Sequence, residues 1–140
     1  MRDQINMPTT LVSTSTTQKL EMSEDLALTI AQAADDRKGE DIIILRVAEV
    51  SYLADYFVIV TGFSKAQVRA ISQAMEDKVE KEWQRRALRI EGQGEGSWIL
   101  QDYGEVIAHI LLPQEREFYN LEAFWGHAEQ IEFQASQPQQ

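Results

Sequence analysis

The chain has 140 residues, 44% of them hydrophobic, no cysteine, and 23 acidic against 13 basic side chains, for a formal charge of −10. That length suits one domain, the lack of cysteine excludes a disulfide framework or a thiolate metal site, and no run of about 18 apolar residues offers a membrane span. The acidic balance argues for little direct nucleic-acid binding, because phosphates are held largely by Lys and Arg; it suits a basic protein partner, or simply solubility.

The N-terminus lacks the charged start and apolar core of a secretory signal. Residues 8–17 are rich in Ser and Thr, but Arg2 is the only arginine before Leu20, so residues 1–22 read as a disordered arm rather than an Arg-rich transit peptide. A cytoplasmic protein is expected. Ser23 is placed to cap a helix, with Glu24 and Asp25 in its first turn and Leu26, Ile30 and Ala33 or Ala34 at helical spacing. Gly39 stops it. Ile42–Leu45 with Val47 form a short buried strand, and Tyr56–Thr61 a second. Ser64 opens what reads as the longest helix, reaching about Gln84, with Val68, Ile71, Met75, Val79 and Trp83 on its sheet-facing side.

Leu88 and Ile90 make a third strand, Gly92 to Gly96 a turn, and Trp98–Tyr103 with Glu105–Leu112 a hairpin around Gly104. Residues 114–126 hold a short helical segment crowded with aromatics. The C-terminal residues 127–140 read as a flexible tail. The expected fold is therefore α/β, a mixed sheet of about five strands with flanking helices over residues 23–126.

Three patterns invite a catalytic reading, and each has a simpler one. The glycines at 92, 94 and 96 precede a strand, whereas a dinucleotide loop needs a helix N-terminus after them. Gly62 and Ser64 resemble the start of a nucleotidyltransferase helix, yet the strand at Leu88–Glu91 offers one acid where a magnesium pair is needed; Ser64 then serves as an N-cap. His109 lies mid-strand with no Ser or Cys nucleophile placed beside it, and Asp102 and Glu105 suit turn capping as well as acid–base work. No metal, cofactor or catalytic residue is assigned, and a non-enzymatic role is expected. The grouped Trp98, Tyr103, Phe118, Tyr119, Phe124 and Trp125 are divided between core and interface, since Trp, Tyr and Arg dominate binding hot spots.

Three blocks, Asp55-Tyr-Phe-Val-Ile-Val-Thr-Gly-x-Ser64, Gly96-x-Trp-Ile-Leu-x-Asp-Tyr-Gly-x-Val-Ile-x-His-Ile110 and Arg116-x-Phe-Tyr-x-Leu-Glu-x-x-Trp125, closely resemble the ribosomal silencing factor family, RsfS or Iojap. The resemblance covers residues 23–126 and implies a nucleotidyltransferase-like fold without the catalytic acids. It implies binding to the large ribosomal subunit through ribosomal protein L-fourteen, steric block of small-subunit joining, and a possible homodimer. The alternatives are a large-subunit assembly factor or a residual metal-dependent nucleotidyltransferase. The contact residues it suggests are Trp98, Asp102, Tyr103, Arg116, Tyr119, Glu122 and Trp125. One departure stands out: relatives often carry a basic residue and then His after the block-ending serine, where this chain has Lys65, Ala66 and Gln67.

Overall fold

The computed structural model describes residues 8–136, with side chains described from residue 18. Along the chain run α1 (Pro8–Asp36), β1 (Glu40–Arg46), β2 (Tyr56–Thr61), α2 (Lys65–Trp83), β3 (Arg89–Glu91), β4 (Trp98–Asp102), β5 (Val106–Leu111), α3 (Pro113–Tyr119), α4 (Leu121–Phe124) and β6 (Glu129–Ile131). The six strands form one sheet in the order β3-β4-β5-β2-β1-β6. Only β2 and β5 pair in parallel, and every other neighbour is antiparallel. Both central strands are buried along their whole length, which is why they read as unbroken apolar runs rather than alternating ones.

One face of the sheet is fully covered. There α1 contributes Leu26, Ile30 and four small alanines at 27, 31, 33 and 34, and α2 contributes Val68, Ile71, Met75 and Val79, against Ile44, Val58, Val60, Ala108 and Ile110. The helical spacing expected for α2 holds. Ser64 accepts the Gln67 amide at 3.0 Å, and Gln84 closes the helix in the left-handed conformation, its amide donating to the Glu80 carbonyl. The opposite face buries Leu45, Phe57, Ile59, Ile107 and Leu111, with partly buried Trp98, Leu100 and Trp125 packed on them. Only the two short helices α3 and α4 lie near it, and neither has a buried residue.

Two boundaries differ from the sequence expectation. α1 begins at Pro8 instead of Ser23, so residues 8–22 are helical where an arm was expected, and α1 rather than α2 is the longest helix. Ser23 lies within it, its hydroxyl turned back to the Lys19 carbonyl at 2.9 Å, a bond that satisfies a serine inside a helix without ending it. Its burial against Asp55, 3.2 Å away, is a tertiary contact that local pattern does not reveal. The expected tail is also partly ordered. β6 pairs Ile131, Gln130 and Glu129 with Ile44, Leu45 and Arg46, giving a sixth strand, and Ser136 bonds the Asp35 carboxylate at 2.7 Å. Residues 1–7 and 137–140 lie outside the described residues.

Candidate functional site

Aromatic rings climb out of the thinly covered face in two stacks. Phe57, in β2, meets Trp125 edge-on at 5.3 Å, and Trp125 meets Phe124 at 5.0 Å. Trp98, in β4, packs on Tyr119 at 4.7 Å, and Tyr119 meets Phe118 at 4.9 Å. His109 joins the stacks at their base, 5.2 Å from Phe57 and 5.9 Å from Trp98. Burial falls steadily along each: Phe57 and His109 are buried, Trp98 and Trp125 half-buried, and Tyr119, Phe124 and Phe118 are 51%, 76% and 79% exposed. Exposed rings standing on a buried base are pre-positioned, so little ordering entropy opposes their burial by a partner.

The helices that carry these rings are placed by polar contacts. Leu112 precedes α3 in extended conformation and Pro113 opens it, a position where the missing amide costs nothing. Arg116 then reaches two elements. Its Nη1 donates to the Thr61 hydroxyl at 2.8 Å, at the end of β2, and its Nε and Nη2 donate to Glu122 Oε2 at 2.9 and 2.8 Å, at the start of α4. Asn120 between the two helices takes a left-handed backbone that turns the chain.

His109 is held as a neutral ring. Its Nδ1 accepts a hydrogen bond from Trp98 Nε1 at 3.2 Å, and burial lowers its pKa to about 4. Lacking an ion partner or a neighbouring nucleophile among the described residues, it packs and orients Trp98. Asp102 and Glu105 do not converge on an acid–base pair. Asp102 accepts the Gly104 amide at 2.8 Å and Arg89 at 3.2 Å, while Glu105 binds Arg85 at 2.7 and 2.9 Å, and the Arg85 guanidinium holds its carboxyl below the usual carboxylate range.

Of the seven expected contact residues, the structure brings Trp98, Tyr119 and Trp125 together at the aromatic surface. Arg116 and Glu122 are beside it but bonded to each other. Asp102 is at the far end of β4 from Trp98, about 13 Å away at the usual rise per residue, and is engaged in the β4–β5 turn. Tyr103 requires a correction. It is 1% exposed, lies on the helix-covered face, and donates its hydroxyl to Gln101 Oε1 at 2.8 Å, so it belongs to the core. Phe118 and Phe124 were missing from that set although they lie in the aromatic segment; their spacing from Tyr119 and Trp125 was the available signal.

Lys78 pairs with Asp36 and Glu82, Arg85 with Glu105, Arg86 with Glu80, and Arg89 with Glu91 and Asp102. These four cations are thereby ion-paired within the fold. Gly92, Gly94 and Gly96 form the β3–β4 connection, and Arg69 donates to the Gln93 and Gly94 carbonyls at 3.1 and 2.8 Å. The loop is closed by its own protein, with no helix following it. Among the described residues no group of three or more His, Asp or Glu is close enough to hold a metal ion, and no helix is long and apolar enough to cross a membrane.

A family model described as "Ribosomal silencing factor during starvation" matches residues 20–140. Protein Iojap of the maize chloroplast is 45% identical over 76% of this chain and 46% of its own length, so the chain spans about half of that relative. The ribosomal silencing factor RsfS of Bacillus subtilis is 40% identical over 76% of this chain and 91% of its own. A mouse protein named for mitochondrial assembly of the ribosomal large subunit is 33% identical over 62% of this chain and 39% of its own. Among solved structures, a Chromobacterium violaceum protein superposes with a TM-score of 0.71 at 32% identity, covering 81% of this chain and 92% of that one.

Proposed function

The chain belongs to the ribosomal silencing factor family, and from that premise we propose that it represses translation by docking on the large ribosomal subunit through ribosomal protein L-fourteen and blocking small-subunit joining. The observation that carries the reading is the rigid aromatic surface of Trp98, Phe118, Tyr119, Phe124 and Trp125. Phe118, Tyr119 and Phe124 are half or more exposed and stand on the half-buried Trp98 and Trp125, which is what a protein hot spot needs. The net charge of −10 adds attraction toward a basic partner. Blocking requires only excluded volume, so the reading calls for no catalytic step, metal or cofactor. Its place of action is the compartment of its ribosomes, the cytoplasm, and a homodimer in solution is part of the same proposal.

A mixture of purified large and small subunits, run on a sucrose gradient with and without excess protein, tests it. The joined-ribosome peak is expected to fall as protein appears on the large-subunit peak. Large-subunit binding with an undiminished joined peak would instead support the second reading, an assembly factor, which the name of the mouse relative favours.

A further inference from the structure

A second apolar surface lies where α1 meets the loops at the N-terminal ends of the central strands. α1, the β1–β2 loop and the β4–β5 turn enclose a groove of about 690 Å³ whose apolar wall includes Met22, Tyr52 and Leu53. Met22 is 58% exposed, Leu53 69% and Tyr52 fully exposed at 108%, with Val50 at 51% in the same loop. The loop is not slack. The Val47 amide donates to the Asp55 carbonyl at 2.8 Å, the Val50 amide to the Val47 carbonyl at 3.0 Å, and the Leu53 amide to Ser51 Oγ at 2.9 Å. Its apolar side chains are therefore held out into solvent by a bonded backbone, and single exposed hydrophobics would need no explanation while this many together do.

Charge decides what would cover them. Glu49 and Asp55 flank the loop, Asp55 and Glu105 line the groove, and Glu21 and Asp25 flank Met22 along α1. Among the described residues, Lys19 is the one basic residue in the lining. Arg46 pairs with Glu49 and Glu129 at 4.0 and 3.7 Å and Arg85 with Glu105, so the carboxylates left without an ion pair among the described residues are Asp55 in the lining and Glu21 and Asp25 beside Met22. We propose that this groove is a second docking surface, which takes an amphipathic segment of a protein partner that sets apolar side chains on Met22, Tyr52 and Leu53 and Lys or Arg against the surrounding carboxylates. The aromatic rings stand on the sheet face opposite α1, whereas the groove opens where α1 meets the loops at the N-terminal ends of β2 and β5, where the Asp55 amide meets the Glu105 carbonyl. The inference does not depend on what docks on the aromatic rings.

The test is a titration of the full chain with a synthetic Leu/Lys amphipathic peptide and with its Leu/Glu counterpart, followed by calorimetry and by amide NMR shifts. Binding of the Leu/Lys peptide is expected, weakened by salt, with shifts centred on Met22 and on Tyr52 to Asp55. The variant Tyr52→Ser/Leu53→Ser should bind it at least about tenfold more weakly while keeping the thermal midpoint and any large-subunit binding of the unmodified chain. Equal binding of the Leu/Glu peptide, full binding by the variant, or shifts centred on Phe118 and Phe124 would overturn the proposal. So would shifts at Tyr52 and Leu53 that grow with protein concentration alone, because a second copy would then be the occupant.

Discussion

His109 and Trp98 show how one buried hydrogen bond fixes a surface. The imidazole must stay neutral to accept from the Trp98 indole, and burial alone lowers its pKa from 6.5 to about 4. The unfolded chain therefore binds more protons between those values, so stability is complete above about pH 6.5 and falls as the pH drops toward 4. At pH 5 the loss attributable to this residue is on the order of 2 kcal/mol. Urea denaturation at pH 7 and pH 5 of the unmodified chain and of His109→Gln checks this: the difference between the two proteins should shrink at the lower pH. A constant difference would mean that the ring is not held neutral by the fold. The residue types at this site were legible, since the aromatic segment announced itself in sequence. Their exposure was not. Tyr103 sits beside a turn glycine and looks like a surface residue, but strand alternation carries its side chain to the face opposite Asp102, under α1 and α2.

The elements that hold the site depend on a few contacts that can be removed separately. Arg116 bridges β2, α3 and α4 with three bonds, which a single ammonium cannot reproduce. Arg116→Lys should cost about 1–2 kcal/mol and Arg116→Ala about 3 kcal/mol by urea denaturation. Because Glu122 belongs to this latch, Glu122→Lys would set two cations together and disturb the helices, so it is a poor probe of docking. In the β3–β4 turn, Gly92 has a φ of +89°, and a Cβ there would meet the Trp98 carbonyl oxygen at 2.0 Å, whereas nothing lies within 4 Å of one at Gly94. Gly92→Ala should therefore cost about 2 kcal/mol or more and Gly94→Ala less than about 0.5 kcal/mol, measured by thermal melts. A phosphate cradle would instead show its cost in ligand binding. Both ends of α2 were readable, because Ser64 and the apolar face act locally. β6 was not: Glu129, Gln130 and Ile131 have no strand pattern of their own and pair only because the edge of β1 is there to receive them. The start of α1 was hidden likewise, since among the residues whose side chains are described its first buried one is Ser23.

At the scale of the molecule, the sheet has one sealed face and one face finished by exposed rings. The mixed α/β architecture and the order of the first five strands followed from the sequence, because apolar runs and glycine turns define each strand independently. The hairpin expected around Gly104 is the β4–β5 pair, but the parallel β2–β5 pairing did not follow, since it joins segments separated by a helix and two strands. Acidity, the most prominent bulk property, now describes an overall field. The identification rests on the family match and the proposed contact on a handful of aromatics. The most direct measurement is co-sedimentation of the unmodified chain and of Phe118→Ser/Phe124→Ser with purified large subunits. Both side chains are largely exposed, so the variant should keep its thermal midpoint and bind at least about tenfold more weakly. A folded variant that co-sediments as well as the unmodified chain would contradict the aromatic docking surface.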